Sequence, residues 1–275
     1  MPADEHATAP LTLRQRRRAV ATQEILDAAE RHITENGPAA LSLRAIARDL
    51  GMTVQALYHY FPSREALVTE LITKAYGDLA DAVQAAVDTA PDDPALPRLV
   101  IAAEGYRRWA VAHPERFQLL YGTPLRDYAA PVDGPTTRAM RRMSAIFERE
   151  MFDGFTEAQL AAAETPALSP GLRAYLEQLP HYGLGHLPPP ATALLMSAWG
   201  HLNGLVILEV FGHVAFLGDH QAEIFRIAMR NLLDDVRRQI PLSVDGGAGA
   251  RTDVGVGAGT SCAERPGSPS DASAG

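Results

Sequence analysis

The stretch from Leu41 to Leu67 constrains the fold most, because helix-capping residues recur along it at the spacing of short helices. Ser42, Thr53 and Ser63 are each predicted to begin a helix, since a serine or threonine hydroxyl accepts hydrogen bonds from the free amides of a first turn. Gly51 is predicted to end the first helix, because a C-terminal cap favours a residue with positive φ. The pattern therefore indicates two short helices joined by a tight turn and followed closely by a third.

Apolar spacing assigns a buried and an exposed face to the first two of these helices. In the second helix, Leu57 is predicted to face the first, and Pro62 disfavours helix at Phe61. In the first helix the apolar residues recur at i, i+3, i+4 and i+7, which places them on one face: Leu43, Ile46, Ala47 and Leu50. The outward flank of the second helix then carries Val54, Gln55, Tyr58 and His59.

Two interpretations fit this arrangement. The first is a helix-turn-helix, which presents its second helix to the major groove of DNA. The second is an ordinary helical hairpin in a bundle core. The identities of the residues favour the first: AIA at 45–47, LGMT at 50–53, ALYHYF at 56–61 and SREAL at 63–67. This run closely resembles the signature of the TetR (tetracycline-repressor) family of bacterial transcriptional regulators. The resemblance implies an all-α fold, with an N-terminal three-helix helix-turn-helix DNA-binding domain and a larger helical ligand-binding and dimerisation domain.

Charge is distributed unevenly along the chain. The net charge of −8 is unusual for a nucleic-acid-binding protein, yet residues 11–64 hold eight arginines against five acids, a local +3. Residues 65–275 hold 17 basic and 26 acidic groups, a local −9, and residues 1–10 add −2. This asymmetry indicates one DNA-facing end on an otherwise acidic protein.

Binding to DNA requires some side chains on phosphates and others on base edges. On the first turn of the second helix, Gln55 is suited to bond adenine and Val54 to touch a thymine methyl. Tyr58 and Arg64 offer a hydroxyl and a charge for phosphates, and Arg44 faces outward from the preceding helix. By this flank and by the resemblance, the predicted DNA-contacting set is Arg44, Thr53, Val54, Gln55, Tyr58, His59 and Arg64.

Four arginines precede the motif, at Arg14 and 16–18. We predict that they form a basic arm along phosphates or in the minor groove, directly before a helix that ends near Asn36. A solvated charge run is the alternative. The predicted organisation is a disordered arm (1–13), the DNA-binding domain (14–66), the ligand-binding and dimerisation domain (67–240) and a disordered tail (241–275).

Further helices are predicted beyond the motif, separated by proline-containing breaks. The helix from Ser63 should be ~40 Å long. The family resemblance implies that this helix sets the spacing between the two DNA-binding domains, or heads, of a dimer. Residues 191–217 carry one charge, Glu209, so a membrane span is one interpretation. Interior polar residues and the lack of a basic flank favour instead a helix buried between its own domain and a partner subunit. The predicted helices are 63–89, 97–113, 136–152, 191–217 and 221–240.

The C-terminal resemblance is narrower. Trp199 and Gly204 match a Trp-x(3)-His-Gly signature found in a subgroup of these regulators, but Asn203 stands at the position of the histidine. The resemblance to the family also implies a homodimer, in which the last two helices, 191–217 and 221–240, form a four-helix interface.

A regulatory pocket in the second domain is expected to be mainly apolar and aromatic, with few polar groups. Simple core packing is the alternative for every candidate. Histidines in the C-terminal part, among them His181 and His186, raise a helical metal-binding sensor or carrier as another alternative, although their spacing matches no metal motif. We therefore expect no metal and no cofactor. The candidate ligand-binding residues are Tyr106, Trp109, Tyr121, Phe147, Met151, Trp199 and Asn203.

These patterns predict a homodimeric transcriptional regulator, most simply a repressor that binds a palindromic double-stranded operator and is released by a small molecule. No phosphate-binding loop or nucleophile elbow occurs in the sequence, so we do not expect an enzyme. No signal peptide pattern begins the chain, so we expect a cytoplasmic protein with no membrane partner. A regulator without a small-molecule effector, or an activator, is the alternative within the same class.

Overall fold

The computed structural model describes residues 12–91, 93, 96–122, 128–129, 133–179 and 186–242. Every regular element in these ranges is a helix, which confirms the all-α prediction. Most of the predicted arm and tail lies outside the described residues. The α-helices are α1 (Leu13–Asn36), α2 (Leu43–Asp49), α3 (Val54–Tyr58), α4 (Arg64–Asp88), α5 (Arg98–Ala112), α6 (Pro114–Tyr121), α7 (Pro135–Phe152), α8 (Glu157–Ala161), α9 (Pro170–Glu177), α10 (Pro189–Val210) and α11 (Gln221–Gln239), with 3-10 turns at Pro38–Ala40 and Ala215–His220.

The caps predicted for the N-terminal motif are present. The Thr53 hydroxyl accepts from the Ala56 amide at 3.1 Å and begins α3. Gly51 has φ +66° and ends α2 in a Schellman arrangement, in which its own amide and that of Met52 donate to carbonyls of the last helical turn. Ser42 and Ser63 cap α2 and α4 in the same way as Thr53 caps α3.

Two of the helix boundaries that differ from the sequence prediction do so because of a local cap. The arginines at 14 and 16–18 lie on α1 and not on an arm before it, because Thr12 and Gln15 form a capping box that begins the helix at Leu13. The helix predicted over 191–217 ends at Val210, because Gly212 takes φ +76° and closes a Schellman motif with the last turn.

Helix α3 also ends earlier than Phe61, the point at which Pro62 is predicted to stop it. It ends at Tyr58, after which the chain tightens into i to i+3 bonds, with the Tyr60 amide 2.9 Å from the Leu57 carbonyl. Phe61 is buried beneath this turn.

Two hydrophobic cores lie along the chain, and α4 belongs to both. The head core, formed by α1 to α3 and the first half of α4, includes Ile25, Ile46 and Leu67. The main core is formed by the second half of α4 together with α5, α7, α10 and α11, where α4 packs on α5 and α7, and α5 packs on α10 and α11. The predicted domain boundary at 66/67 falls inside α4 and stays a prediction.

Helices α4 and α5 pack very closely in the main core. A Cβ on Gly105 would lie 2.8 Å from the Ala86 Cβ, so only glycine permits this approach. The closeness places the ring of Tyr106, the next residue, deep in the main core, where it is fully buried.

Helix α10 is, within the described residues, the one helix with the length and hydropathy of a membrane span. The same properties are typical of a core helix in a water-soluble protein. One side of α10 packs into the main core through Leu194, Leu202 and Val206. Exposed apolar side chains, Met196 and Leu208, lie on its other side.

Candidate nucleic-acid interface and effector site

The flank of α3 is presented to solvent by the packing of Leu57, which is fully buried beneath it. Gln55 and His59 are exposed, and Tyr58 is 41% exposed, unusual for a tyrosine next to a core residue. Val54 packs partly against the head core, so only part of its side chain faces outward. The described flank therefore combines a hydrogen-bonding amide, an imidazole and a phenol.

The remaining candidates frame this flank. Thr53 is exposed; its oxygen accepts the capping bond, and its O–H is left to donate. Arg44 is exposed on α2. Arg64 is half-buried, and its Nε donates to the Leu41 carbonyl at 3.4 Å, which anchors the start of α4. A guanidinium has five N–H donors, so this bond leaves others for a phosphate.

Arg18 is a further residue of this surface, and its contact joins positions 41 apart in the sequence. Its Nη2 donates to the His59 carbonyl at 3.0 Å, and its guanidinium carbon lies 5.4 Å from the centre of the Tyr60 ring. The sequence prediction assigned Arg18 to a free basic arm. In the structure it holds the C-terminal end of α3 from the side of α1.

Six aromatic residues meet in the main core, and we call this cluster the aromatic cage. The Tyr106 ring is central, with the Trp199 ring centre 5.6 Å away in a T-shaped pair and the Phe147 centre 5.9 Å away. Phe147 and Trp199 also pair edge to face, at 5.5 Å. The members of the cage are Tyr76, Tyr106, Phe117, Tyr121, Phe147 and Trp199.

Polar groups within the cage are few. The Tyr106 hydroxyl donates to Asn203 Oδ1 at 2.7 Å, and Asn203 Nδ2 donates to the Trp199 carbonyl at 3.1 Å. The Tyr121 hydroxyl is buried and has no hydrogen-bond partner among the described residues. Burial raises the pKa of both Tyr106 and Tyr121 well above the ordinary value for tyrosine, so both keep their protons.

The structure brings together five of the seven predicted effector residues, four in the cage and Asn203 bonded to it. Met151 is buried in the main core, but no ring contact or hydrogen bond joins it to the cage within the described residues. Trp109 stacks on His113, with ring centres 5.1 Å apart. Tyr76 and Phe117 belong to the cage but were not predicted, because their distance from Tyr106 along the chain gives no periodic signal.

A cluster of four charges connects the head to α6. Arg116 Nη2 lies 2.6 Å from Glu30 Oε1, and Arg116 Nη1 lies 3.0 Å from Asp78 Oδ2. Lys74 bridges the same two carboxylates, at 2.7 and 3.5 Å. Helix α6 therefore makes two kinds of contact. Its Arg116 pairs with acids of α1 and α4, and its Phe117 and Tyr121 belong to the cage.

A second ion pair holds α10 to α5. Glu209 accepts from Arg107, with Nε and Oε2 2.6 Å apart, and both side chains are largely buried. The Arg107 guanidinium also lies over the Phe225 ring, 5.8 Å from its centre, so the pair reaches α11. In the sequence, Glu209 stands only as a charge that interrupts an apolar run.

The histidines raised a metal-binding sensor or carrier as an alternative. In the part of the chain that the structure describes, no group of three or more His, Cys, Asp or Glu side chains is arranged to hold a metal ion. His186 Nε2 lies 2.5 Å from Glu148 Oε1. His181 lies outside the described residues.

Comparison with known proteins identifies the family. Residues 25–71 match the model of bacterial regulatory proteins of the tetR family, and residues 99–232 match that of the tetracyclin repressor-like C-terminal domain. The HTH-type transcriptional regulator Rv1816 of Mycobacterium tuberculosis is 34% identical over 189 residues, 69% of this chain and 80% of the relative.

Solved structures agree with these matches. The putative regulatory protein SCO4313 superposes with a TM-score of 0.63 at 32% identity, over 81% of this chain and all of that one. A Rhodococcus protein of unknown function, 22% identical, shares the fold with a TM-score of 0.56 over 84% of this chain and 99% of its own. By its two family matches, its curated relatives and its helix-turn-helix head, this chain belongs to the TetR family of DNA-binding transcriptional regulators.

Proposed function

We propose that the protein is a repressor that binds a palindromic operator as a homodimer and releases it when a small molecule enters the main core. The observation that carries the proposal is the solvent-facing flank of α3, capped by Thr53 and held at its end by Arg18. A flank of this size and polarity suits the major groove. The proposal includes no enzymatic activity.

The arginines at 14 and 16–18 support this proposal from α1. They are exposed on its first two turns, the same end of the helix from which Arg18 reaches α3. A row of cations beside a recognition helix is suited to neutralise phosphates, which makes binding depend on salt.

DNA binding is tested with a duplex taken from the region upstream of the protein's own gene. Fluorescence anisotropy over a series of salt concentrations should show affinity falling linearly on logarithmic axes, with a slope of about −0.9 per neutralised phosphate. Binding that does not change with salt, or no binding to any genomic duplex in a footprinting survey, would contradict the proposal.

Replacing Gln55 tests base reading. Gln55→Ala should cost about 1–3 kcal/mol in discrimination at one base position and leave non-specific affinity unchanged, because a bidentate amide contact to adenine is lost. Selection of preferred sites from a random duplex pool measures this directly. Gln84→Ala, on α4 beyond the head, is the matched control and should leave the preferred site unaltered. An unchanged preference in the Gln55 variant would show that this side chain does not read a base.

The apolar flank shared by α10 and α11 supports dimerisation. Ile224 and Ile227 of α11 are 45% and 48% exposed, and Met196 and Leu208 of α10 are 45% and 41% exposed. The two helices contact each other. An apolar surface of this kind typically marks a protein–protein interface. A second copy of the chain would cover it.

Ile227→Glu should raise the dissociation constant of the dimer by roughly 30-fold or more, because the interface would bury an unpaired carboxylate from each subunit. Light scattering after size-exclusion chromatography over a dilution series measures the effect. Val20→Glu is the control, since Val20 is 59% exposed on α1, in the head. A dimer equally weakened by both variants, or by neither, would place the interface elsewhere.

A further inference from the structure

The aromatic cage offers hydrogen bonding without charge. Its side chains are all neutral, since burial raises the pKa of Tyr76, Tyr106 and Tyr121 above the ordinary value and the other rings do not ionise. The asparagine bonded to the cage is neutral as well. An ionic ligand would therefore enter with no opposite charge to replace its water, at a large desolvation cost. The cage favours an uncharged ligand.

Two hydroxyls in the cage differ in their hydrogen bonding. The Tyr106 hydroxyl donates to Asn203, and Asn203 donates in turn to the Trp199 carbonyl. The Tyr121 hydroxyl is buried without a partner in the described part of the chain. Buried polar groups in native proteins are nearly always satisfied, so an unpaired one calls for a partner from outside.

The position of the Tyr121 hydroxyl is set by the rings around it. The Tyr121 ring centre lies 5.0 Å from Phe117, 6.0 Å from Tyr76, 6.4 Å from Tyr106 and 6.5 Å from Trp199. It is thus surrounded by aromatic faces and edges. A flat ring inserted among them would make new edge-to-face contacts, which offset part of the cost of separating the rings.

We propose that the aromatic cage binds an uncharged aromatic molecule bearing a carbonyl oxygen, and that the Tyr121 hydroxyl donates a hydrogen bond to this oxygen. The inference rests on the proposed effector function of the main core and names the chemistry of the effector. The rings are in contact, so the ligand must separate them. Because Phe117 and Tyr121 lie on α6, their displacement moves the helix that Arg116 joins to the head.

Three naphthalenes of similar shape test this chemistry: 2-acetylnaphthalene, 2-ethylnaphthalene and 2-naphthoate. The first carries a carbonyl, the second replaces it with a methylene, and the third carries an anionic carboxylate. Calorimetric titration of the full chain should show 2-acetylnaphthalene binding roughly tenfold or more tightly than either of the others, because only it both satisfies Tyr121 and remains uncharged.

Tyr121→Phe tests the assigned residue. It should weaken binding of 2-acetylnaphthalene by roughly tenfold and leave that of 2-ethylnaphthalene within about twofold, because only the hydroxyl is removed. Tyr175→Phe removes the hydroxyl of a tyrosine that is 64% exposed on α9 and should change neither value. The three-probe comparison on the unmodified chain stands even if the Tyr121 variant folds poorly.

The outcomes separate this inference from the proposed function. Tightest binding by 2-naphthoate, binding by none of the three probes, or an unchanged preference for the ketone in Tyr121→Phe would overturn the inference. DNA binding, measured on the same samples with the upstream duplex, is decided independently. A protein that binds the duplex but none of the probes keeps the repressor proposal and loses the cage assignment. A protein that binds the ketone through Tyr121 but does not bind the duplex keeps the cage assignment and loses the repressor proposal.

Discussion

Glu209→Ala should lower the free energy of unfolding by about 3–5 kcal/mol, because it leaves the Arg107 guanidinium in the protein interior without its counter-charge. The side chains of Arg107 and Glu209 are 14% and 8% exposed, so little water can replace the lost carboxylate. Among the described residues, the guanidinium would retain the face of the Phe225 ring. Urea denaturation followed by circular dichroism measures the change, at a protein concentration held constant for all variants.

Arg142→Ala is the matched control for this prediction. Arg142 also pairs with an aspartate on another helix, Asp81, but the two side chains are 54% and 66% exposed. Exposed pairs contribute about 0–1 kcal/mol, because water screens the charges. Equal losses in the two variants would contradict the role of burial. Conversely, an apolar replacement of both Arg107 and Glu209 should recover much of the stability, since a buried pair costs desolvation energy on both sides.

Contacts between neighbours in the sequence can be predicted from it, whereas an ion pair such as Arg107–Glu209 cannot. Helix starts were predicted correctly where the determining contact spans three residues, as between Thr53 and the Ala56 amide. The positions of the capping side chain and of the amide that it accepts from are both fixed by local backbone geometry. Residues 102 apart, such as Arg107 and Glu209, meet only after the helices have packed, and no local rule selects the pair.

Boundary errors have a similar physical origin. The apolar run after Gly204 continues past Val210, so periodicity alone extends α10 to 217. The positive φ of Gly212 decides the actual end, and Gly200 and Gly204, in the same run, remain helical. Which glycine ends the helix depends on how the following chain packs. The cage was predicted in part, because aromatic residues were recognised as candidates but their meeting point depends on the crossing of α4, α5, α6, α7 and α10.

Helix α6 is placed to transmit changes between the cage and the head. Its Leu119 side chain is buried in the head core, while Phe117, two residues earlier, is buried in the main core. Arg116 fixes this orientation through Glu30 of α1 and Asp78 of α4. Coupling between two sites is reciprocal: if an effector in the cage weakens DNA binding as proposed, bound DNA weakens effector binding by the same factor, and the elements that connect the two sites respond to either ligand.

This reciprocity allows the coupling to be tested without an effector. In the wild-type protein, adding operator duplex should change hydrogen–deuterium exchange of the α6 amides by roughly 5- to 150-fold, the range that corresponds to a coupling of about 1–3 kcal/mol. In Arg116→Met most of that change should be lost, because the apolar side chain keeps the packing but cannot join Glu30 to Asp78. Arg142→Met, which removes an exposed arginine of α7, should retain it. If the Arg116 variant binds duplex and still shows the full response in α6, the signal passes through the α4 helix itself, which runs unbroken from the head core into the main core.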